Sequence, residues 1–372
     1  MRVVHTINSL GVGGAESCLL RLISVDAAED SHMIICIIED LSLAPQVPVG
    51  VPVHCLISRK GKLRNFFRVL RAIRRFRPEL IQGWMYWGNF LGVLIRIICS
   101  LRPKLLFGIR QTLSWRNEKF VTKLSILLNK LLLSVATVTI YNSNESLNSH
   151  GWIFGRHANR IVFNGFKTLD RTDLLRNRKL LRESMDISEN AYVIGFVGRN
   201  RPMKNFEGFM QLVDTSFRRL PLRELNNVVI LVVGKDYSPS LRERLTLIGR
   251  RFFVRVIFQS NIPCFHKYAS ALDLLVSTSA HGESFPNVIA ECIAAGVQVL
   301  ATEVGLVEEL VMAENLFDVS DIDSMAERCS VLIDSKGKRL ANTTPNLPSC
   351  SAMADKFGAV WDSCLSQQHV ET

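Results

Sequence analysis

The sequence predicts an α/β protein made of two doubly wound, Rossmann-like domains. Short, wholly apolar runs recur between helix-length segments, they fall into two series, and a polar stretch separates the series. A length of 372 residues agrees with this division, since one domain usually takes about 150 residues. A composition of 48% hydrophobic and 21% charged residues is that of a folded globular chain without low-complexity segments.

The first series reads RVVHTI, MIICII, VPVHCL, LIQGWM, KLLFGI and TVTIYN; the second reads VIGFVG, VVILVVG, VRVIF, LDLLVSTS and VQVLAT. Strands without a polar alternation are buried on both faces, which is the condition of parallel sheets covered by helices. The opening MRVVHTINSL lacks a long apolar segment of the signal-peptide kind, so it reads as a buried strand. Two further runs could be mistaken for membrane spans. FLGVLIRIICS, residues 90–100, is interrupted by Arg96, and LSILLNKLLLSVATVTI, residues 124–140, carries Asn129 and Lys130. Both fall short of about 18 uninterrupted apolar residues and are expected to be core helices, the second passing into a strand. Residues 166–190 are polar with no strand, and the junction is placed there. The expected division is an N-terminal domain 1–168, a linker 169–190, a C-terminal domain 191–350, and a final helix 351–372 that packs back toward the N-terminal domain.

Charge is uneven along the chain. Residues 1–170 hold 22 Lys or Arg and 10 Asp or Glu, and the remainder holds 23 and 24. The densest part is RKGKLRNFFRVLRAIRRFRP, residues 59–78, with nine basic side chains, no acid, and Phe66, Phe67, Leu70 and Ile73 in helical spacing. Such a segment is either a solvated surface helix or an amphipathic helix suited to an anionic membrane surface. Nucleic acid gains no support, because there is no basic-aromatic RNA signature and no zinc-finger spacing. The nine cysteines include no CxxC pair, which argues for reduced thiols in a cytoplasmic protein and against a disulfide scaffold or metal knuckle.

Three motifs follow strands. NSLGVGGAE, residues 8–16, places Gly11, Gly13 and Gly14 before a helical run, where backbone amides could approach a phosphate. A dinucleotide fingerprint would want Gly at the position of Glu16, which weakens an oxidoreductase reading. GRNRPMKNFEGF, residues 198–209, sets Arg199 and Lys204 in a loop leaving a strand, two cations able to neutralise a diphosphate. In HGESFPNVIAECIAAG, residues 281–296, a helix begins at about Phe285 and ends at Gly296. Pro286 sits in its first turn, and Asn287 and Glu291 share a face away from the core. Glu283 stands just ahead of that helix, either complementing its dipole or bonding a hydroxylated ligand.

Residues 277–309, STSAHGESFPNVIAECIAAGVQVLATEVGLVEE, resemble the donor-site signature of the family 4 retaining glycosyltransferases of GT-B fold. The likeness extends in order to GVGGAE at 11–16, SNESLNSHGW and IVFNGF within 143–166, and VGRNRPMKNFEGF at 197–209. The resemblance implies two Rossmann-like domains facing a central cleft. It also implies a reaction that moves a sugar from a nucleotide diphosphate to a hydroxyl acceptor, in polysaccharide, lipopolysaccharide or other lipid-linked glycan synthesis. Arg199 and Lys204 would bind the diphosphate in place of a metal ion, so that no metal or cofactor is expected. Phe285, Pro286, Asn287 and Val288 would present amides to the phosphates and sugar, Glu283 would hold sugar hydroxyls, and Glu291 the ribose. Gly13 and Gly14 would line the other side of the cleft. Physically, a departing diphosphate needs fixed cations and amide dipoles more than a nucleophile.

Three positions depart from the family pattern. Ser284 stands where relatives usually have Gly, and Phe163 precedes Asn164 and Gly165 where many have Pro. Trp87, in WMYWGN after the strand LIQG, occupies the expected place of an acceptor-side His and cannot accept a proton. Arg110 remains as an acceptor-side cation, and His150 matches a common family His for which a structural role is equally open. The alternatives to transfer are another GT-B chemistry, such as epimerisation or donor hydrolysis, or a catalytically weak nucleotide-sugar-binding protein. The expected location is cytoplasmic, with peripheral attachment to the inner face of a membrane through residues 59–78.

Overall fold

The computed structural model describes residues 1–25, 31–57, 62–99, 102–155, 157–167, 170–260, 265–336 and 347–366. The chain divides into two units, Met1–Gly165 with Pro348–Thr372, and Phe166–Leu347. Residues 59–61 of the basic run, and Cys264, lie outside the described residues.

The first unit runs β1 (Val3–Ile7), α1 (Gly14–Val25), β2 (His32–Ile38), β3 (Val53–Ile57), α2 (Lys62–Phe76), β4 (Leu80–Gly83), α3 (Met85–Ile98), β5 (Lys104–Ile109), α4 (Phe120–Leu131), β6 (Val138–Tyr141), α5 (Asn144–Phe154) and β7 (Asn159–Ile161). The strands form one parallel sheet in the order β3-β2-β1-β4-β5-β6-β7, with Val3 opposite both His32 and Leu80. Each strand is too short and too apolar to stand alone, and the helices cover both faces. On one side Val69 and Ile73 of α2 and Leu91 and Ile95 of α3 pack over Val4, Ile35, Ile81 and Phe107. On the other side Leu19, Leu22 and Ile23 of α1 pack over Val3, Ile7 and Ile34.

The second unit runs α6 (Arg171–Ser184), β8 (Tyr192–Val197), α7 (Phe206–Arg218), α8 (Leu222–Leu225), β9 (Val228–Val233), α9 (Pro239–Arg251), β10 (Arg255–Gln259), α10 (Phe265–Tyr268), β11 (Leu274–Ser277), α11 (Asn287–Ala294), β12 (Gln298–Thr302), β13 (Leu316–Phe317) and α12 (Ile322–Asp334). Its sheet is also parallel, in the order β10-β9-β8-β11-β12-β13. Both sheets therefore reverse strand order once, between β1 and β4 and between β8 and β11, as a doubly wound fold requires. The final helix, α13 (Cys350–Ser366), belongs to the first unit and adds Met353, Phe357 and Trp361 to its core.

Two features differ from the sequence-based expectation. The polar stretch set aside as a linker holds α6, capped by Asp170, whose side chain accepts from the Asp173 amide. Arg182 on this helix is fully buried and its Nη2 donates to Asp273 Oδ2 at 2.6 Å. Arg178 Nη2 donates to Asp273 Oδ1 at 2.7 Å, so the helix is tied to the second unit by charge as well as by Leu174, which packs on its core. The strands β7 and β13, of three and two residues, carry too few positions to show any periodicity. Among the described residues no helix is long and apolar enough to cross a membrane.

Candidate active site

Within the second unit, the turns after β8 and β11 flank the point of strand-order reversal, where open α/β sheets bind ligands. β8 is followed by Gly198, whose carbonyl lies so close to Gly234 that a Cβ there would sit 1.7 Å from it. Tyr237 Oη donates to the same carbonyl at 2.8 Å. Pro202–Lys204 then makes one 3-10 turn, and Asn205, at φ 49° and ψ 57°, reverses the chain. Asn205 Oδ1 accepts from the Gly208 amide at 3.1 Å, capping α7. The two turns are stitched to one another: Thr278 Oγ1 donates to the Asn205 carbonyl at 2.9 Å, and the Ala280 amide donates to the Met203 carbonyl at 2.7 Å.

This stitching brings Lys204 Nζ onto Glu283 Oε1 in a part-buried ion pair. Ser279 Oγ donates to the same carboxylate oxygen at 2.9 Å, and Thr302 Oγ1 donates to the Ser279 carbonyl at 2.6 Å. Gly305, in the turn after β12, has φ +75°, and a Cβ on it would lie 2.4 Å from the Glu283 carbonyl. The turns after three neighbouring strands, β8, β11 and β12, thus fix one acid and one cation. Arg199, in contrast, is exposed.

Beyond Glu283 the chain enters α11 through buried Ser284, Phe285 and Pro286, with Pro286 at the N-cap. Phe285 stacks on Phe166 at 5.5 Å between ring centroids. Asn287 and Glu291 are half-buried on one side of the helix, while Ile289 and Cys292 face the core. Burial pushes the Cys292 thiol well above its ordinary value, which removes it as a nucleophile at neutral pH. Gly296 at φ +70° ends the segment. Ser284 needs no glycine conformation, since the positive φ falls on Gly282. A part-buried cation near the start of a helix is an environment for an anion, and Glu283 supplies that negative charge in the present structure.

Residues 177–346, which span this site, match the model of the family described as Glycosyl transferases group 1. The second unit is a group 1 glycosyltransferase domain. Among solved structures, the whole chain is similar to HepE of Anabaena in complex with UDP and glucose, with 18% identity, TM-score 0.75, and coverage of 98% of this chain and 100% of that one. It is similar also to sucrose-phosphate synthase of Thermosynechococcus elongatus, at 16% identity and TM-score 0.70, covering 99% and 100%. WaaG, a glycosyltransferase involved in lipopolysaccharide biosynthesis, matches at 15% identity and TM-score 0.60, covering 95% and 99%. The shared fold is GT-B. No curated protein sequence matches the chain.

In the first unit the expected acceptor-side residues take other places. His150 is fully buried on α5. Its Nδ1 donates to the Ser146 carbonyl at 2.7 Å and its Nε2 accepts from Tyr86 Oη at 2.6 Å, so both ring nitrogens are used internally. Burial lowers its pKa to about 4, so the ring is neutral at pH 7. His150 is a core residue, the structural role that its place in the sequence left open. Arg110 is likewise a structural cation: its guanidinium lies 5.2 Å from the Trp84 ring and 5.1 Å from the Phe357 ring, and Nη1 donates to the Val162 carbonyl and to Asn164 Oδ1. Trp87 is on the third residue of α3 and not in a loop; it meets Phe90 edge to face at 6.0 Å. The turn after β1 holds Gly13 beneath Glu16, where a Cβ would come 2.3 Å from Glu16 Oε2, and Gly14 is exposed as the first residue of α1. A carboxylate thus lies over the glycines expected to meet a phosphate.

Sequence reasoning missed Thr278, Ser279 and Thr302, whose hydroxyls position Glu283. Threonine and serine at strand ends are too common to stand out. The only available signal was their place at the carboxyl ends of two neighbouring strands.

Proposed function

We propose that this protein is a family 4 retaining glycosyltransferase that moves a sugar from a nucleotide diphosphate to a hydroxyl of a glycan or lipid-linked acceptor. The bond from the anomeric carbon to the diphosphate oxygen breaks, the acceptor oxygen bonds to that carbon on the same face, and the acceptor proton leaves with the nucleoside diphosphate. The observation that carries the reading is the placement of Lys204, Glu283 and the start of α11 at one strand-order reversal. Lys204 and Arg199 receive the charge of the departing diphosphate without a metal ion. The amides of residues 285–288 hold the phosphates and sugar, Glu283 takes sugar hydroxyls, and Glu291 takes the ribose. The family resemblance adds Gly13 and Gly14 as further donor contacts in this proposal. HepE's complex with UDP and glucose and WaaG's lipopolysaccharide role support a nucleotide-sugar donor and a lipid-linked acceptor, consistent with work at the cytoplasmic face of a membrane.

The test is turnover of a panel of nucleotide sugars with and without lipid-linked acceptors, with the anomeric configuration of the product determined. Transfer with retention and full activity in chelator supports the proposal. Hydrolysis or epimerisation without transfer, or an inverted product, rejects it. Replacing Glu291 by Ala should weaken nucleoside diphosphate binding about tenfold, as expected for loss of one hydrogen bond to a charged group; unchanged affinity removes the ribose assignment.

A further inference from the structure

The helix expected to meet a membrane, α2, turns its apolar side inward: Val69, Leu70 and Ile73 are buried in the sheet-facing core. Its outward side offers Arg68, Arg71 and Arg75, with Phe67 the exposed apolar exception. The opposite arrangement occurs on α4. This helix buries its polar residues Ser125 and Asn129 along with Ile126, and leaves Phe120 80%, Leu124 43%, Leu127 45% and Leu131 76% exposed in one stripe. Its rotation is not arbitrary. Asn129 Nδ2 donates to the Tyr86 and Ser125 carbonyls at 2.8 Å, and Asn129 Oδ1 accepts from Asn89 Nδ2 at 2.9 Å. Asn89 Oδ1 in turn accepts from the Gly108 amide at 2.9 Å. A buried amide network therefore locks the leucines outward, where an ordinary core helix would turn them in.

The neighbouring helix α3 continues this face. Trp87, Phe90, Leu94 and Ile97 share its outer side, and Ile97 is 64% exposed. At the N-terminal end of α4, Trp115 and Trp152 meet edge to face at 5.4 Å, with Trp152 63% exposed and Lys123 Nζ 5.6 Å from the Trp115 ring. Around the stripe stand Arg116, Lys119 and Lys130, all exposed. Residues 80–144 contain a single acid, Glu118, against eight Lys or Arg.

We propose that the outer face of α3 and α4 docks on an anionic lipid bilayer, with the leucine stripe in the acyl boundary and the tryptophan pair at headgroup depth. The lysines around the stripe and the arginines of α2 contact lipid phosphates. An apolar stripe in a region with one acid and eight cations fits a negatively charged, greasy surface, whereas a second copy of this chain would bring its own cations against these. The inference rests on how α3 and α4 are exposed and is independent of the transferase reading.

The test is flotation of the full chain with vesicles of phosphatidylcholine alone or mixed with phosphatidylglycerol, together with tryptophan emission. Binding to mixed vesicles with a blue shift is expected. The combined replacement Leu124→Ser, Leu127→Ser and Leu131→Ser, on exposed positions that leave the fold intact by circular dichroism, should reduce it by at least about tenfold. The combination Arg68→Gln, Arg71→Gln and Arg75→Gln should remove the preference for anionic vesicles. Leu222→Ser and Leu247→Ser, exposed leucines of the other unit, should have no effect. Failure of the unaltered chain to bind, binding unaffected by the leucine replacements, or a dimer that those replacements dissociate would each overturn the proposal.

Discussion

Glu283 Oε1 accepts from Lys204 Nζ and from Ser279 Oγ, so one carboxylate oxygen joins the turns after β8 and β11. Under the proposed function the pair is a resting state, in which the carboxylate would hold the ammonium in place until a diphosphate competes for it. Lys204→Ala should therefore lower kcat by about 100-fold to 1,000-fold, the usual cost of removing one donor to developing charge. Glu283→Gln should keep nucleoside diphosphate affinity near that of the unaltered protein while transfer fails. Calorimetric titration with nucleoside diphosphates, set beside turnover, separates the two. Loss of affinity in Glu283→Gln larger than in Lys204→Ala would contradict this order.

Gly305 supports the same acid from below. Its φ of +75° and the 2.4 Å approach of an added Cβ to the Glu283 carbonyl leave no room for a side chain. Gly305→Ala should cost about 1–3 kcal/mol, the range for a side chain forced into a strained backbone region, and should lower activity beyond what the lost stability explains. Thermal unfolding and turnover measured on one preparation check both parts.

Asp273 is the anchor of α6. It accepts from Arg178, from fully buried Arg182, and from the Val193 amide at 2.8 Å. Asp273→Ala should destabilise the second unit by about 3–5 kcal/mol, because it strands a buried guanidinium. Asp273→Asn, which still offers an acceptor to the Val193 amide, should cost less. Denaturant titration gives the comparison; equal losses would show that charge pairing contributes nothing.

Acid should unfold the first unit in a defined window. His150 titrates at about 4 when folded, against 6.5 for a free imidazole, because burial disfavours its cation. The unfolded chain therefore binds the proton first. Stability is complete above pH 6.5, falls as the pH drops below it, and stops falling near 4, for a total on the order of 3 kcal/mol. His5, lowered well below 6.5 chiefly by burial and also by His32, acts with the same sign. His150→Asn should flatten the dependence over this window in urea titrations, and an unchanged slope would refute the assignment.

Much of the fold was legible because buried parallel strands write themselves as unbroken apolar runs. Each of the eleven runs read as strands overlaps one. The strands that escaped, β7 and β13, are edge elements of three and two residues, held by neighbours and not by their own pattern. In the site, Lys204 and Glu283 were legible from their motifs, 79 positions apart, but their ion pair was not. It depends on Thr278, Ala280 and Asn205, whose hydrogen bonds set the loops side by side. His150, for which a structural role was left open, turned out buried, and Arg110 was read as a cleft cation because a charged residue after a strand looks the same in sequence whether its side chain points outward or into a core. Likewise, α4 was read as a core helix since its apolar content is high; only the Asn89–Asn129 bond shows which side faces in.

The closing helix has a bearing on how the chain is made. Phe357 of α13 covers Arg110 opposite Trp84, and Trp361 Nε1 donates to Gln82 Oε1 at 3.3 Å in the same core. A ribosome that has finished residues 1–165 has yet to translate the helix that seals the first unit, and the entire second unit is synthesised before it. The half that emerges first is thus the last to be completed. Until α13 arrives, Trp84 must wait without its Phe357 neighbour on the α1 face of the sheet, a natural point for a chaperone to act during synthesis.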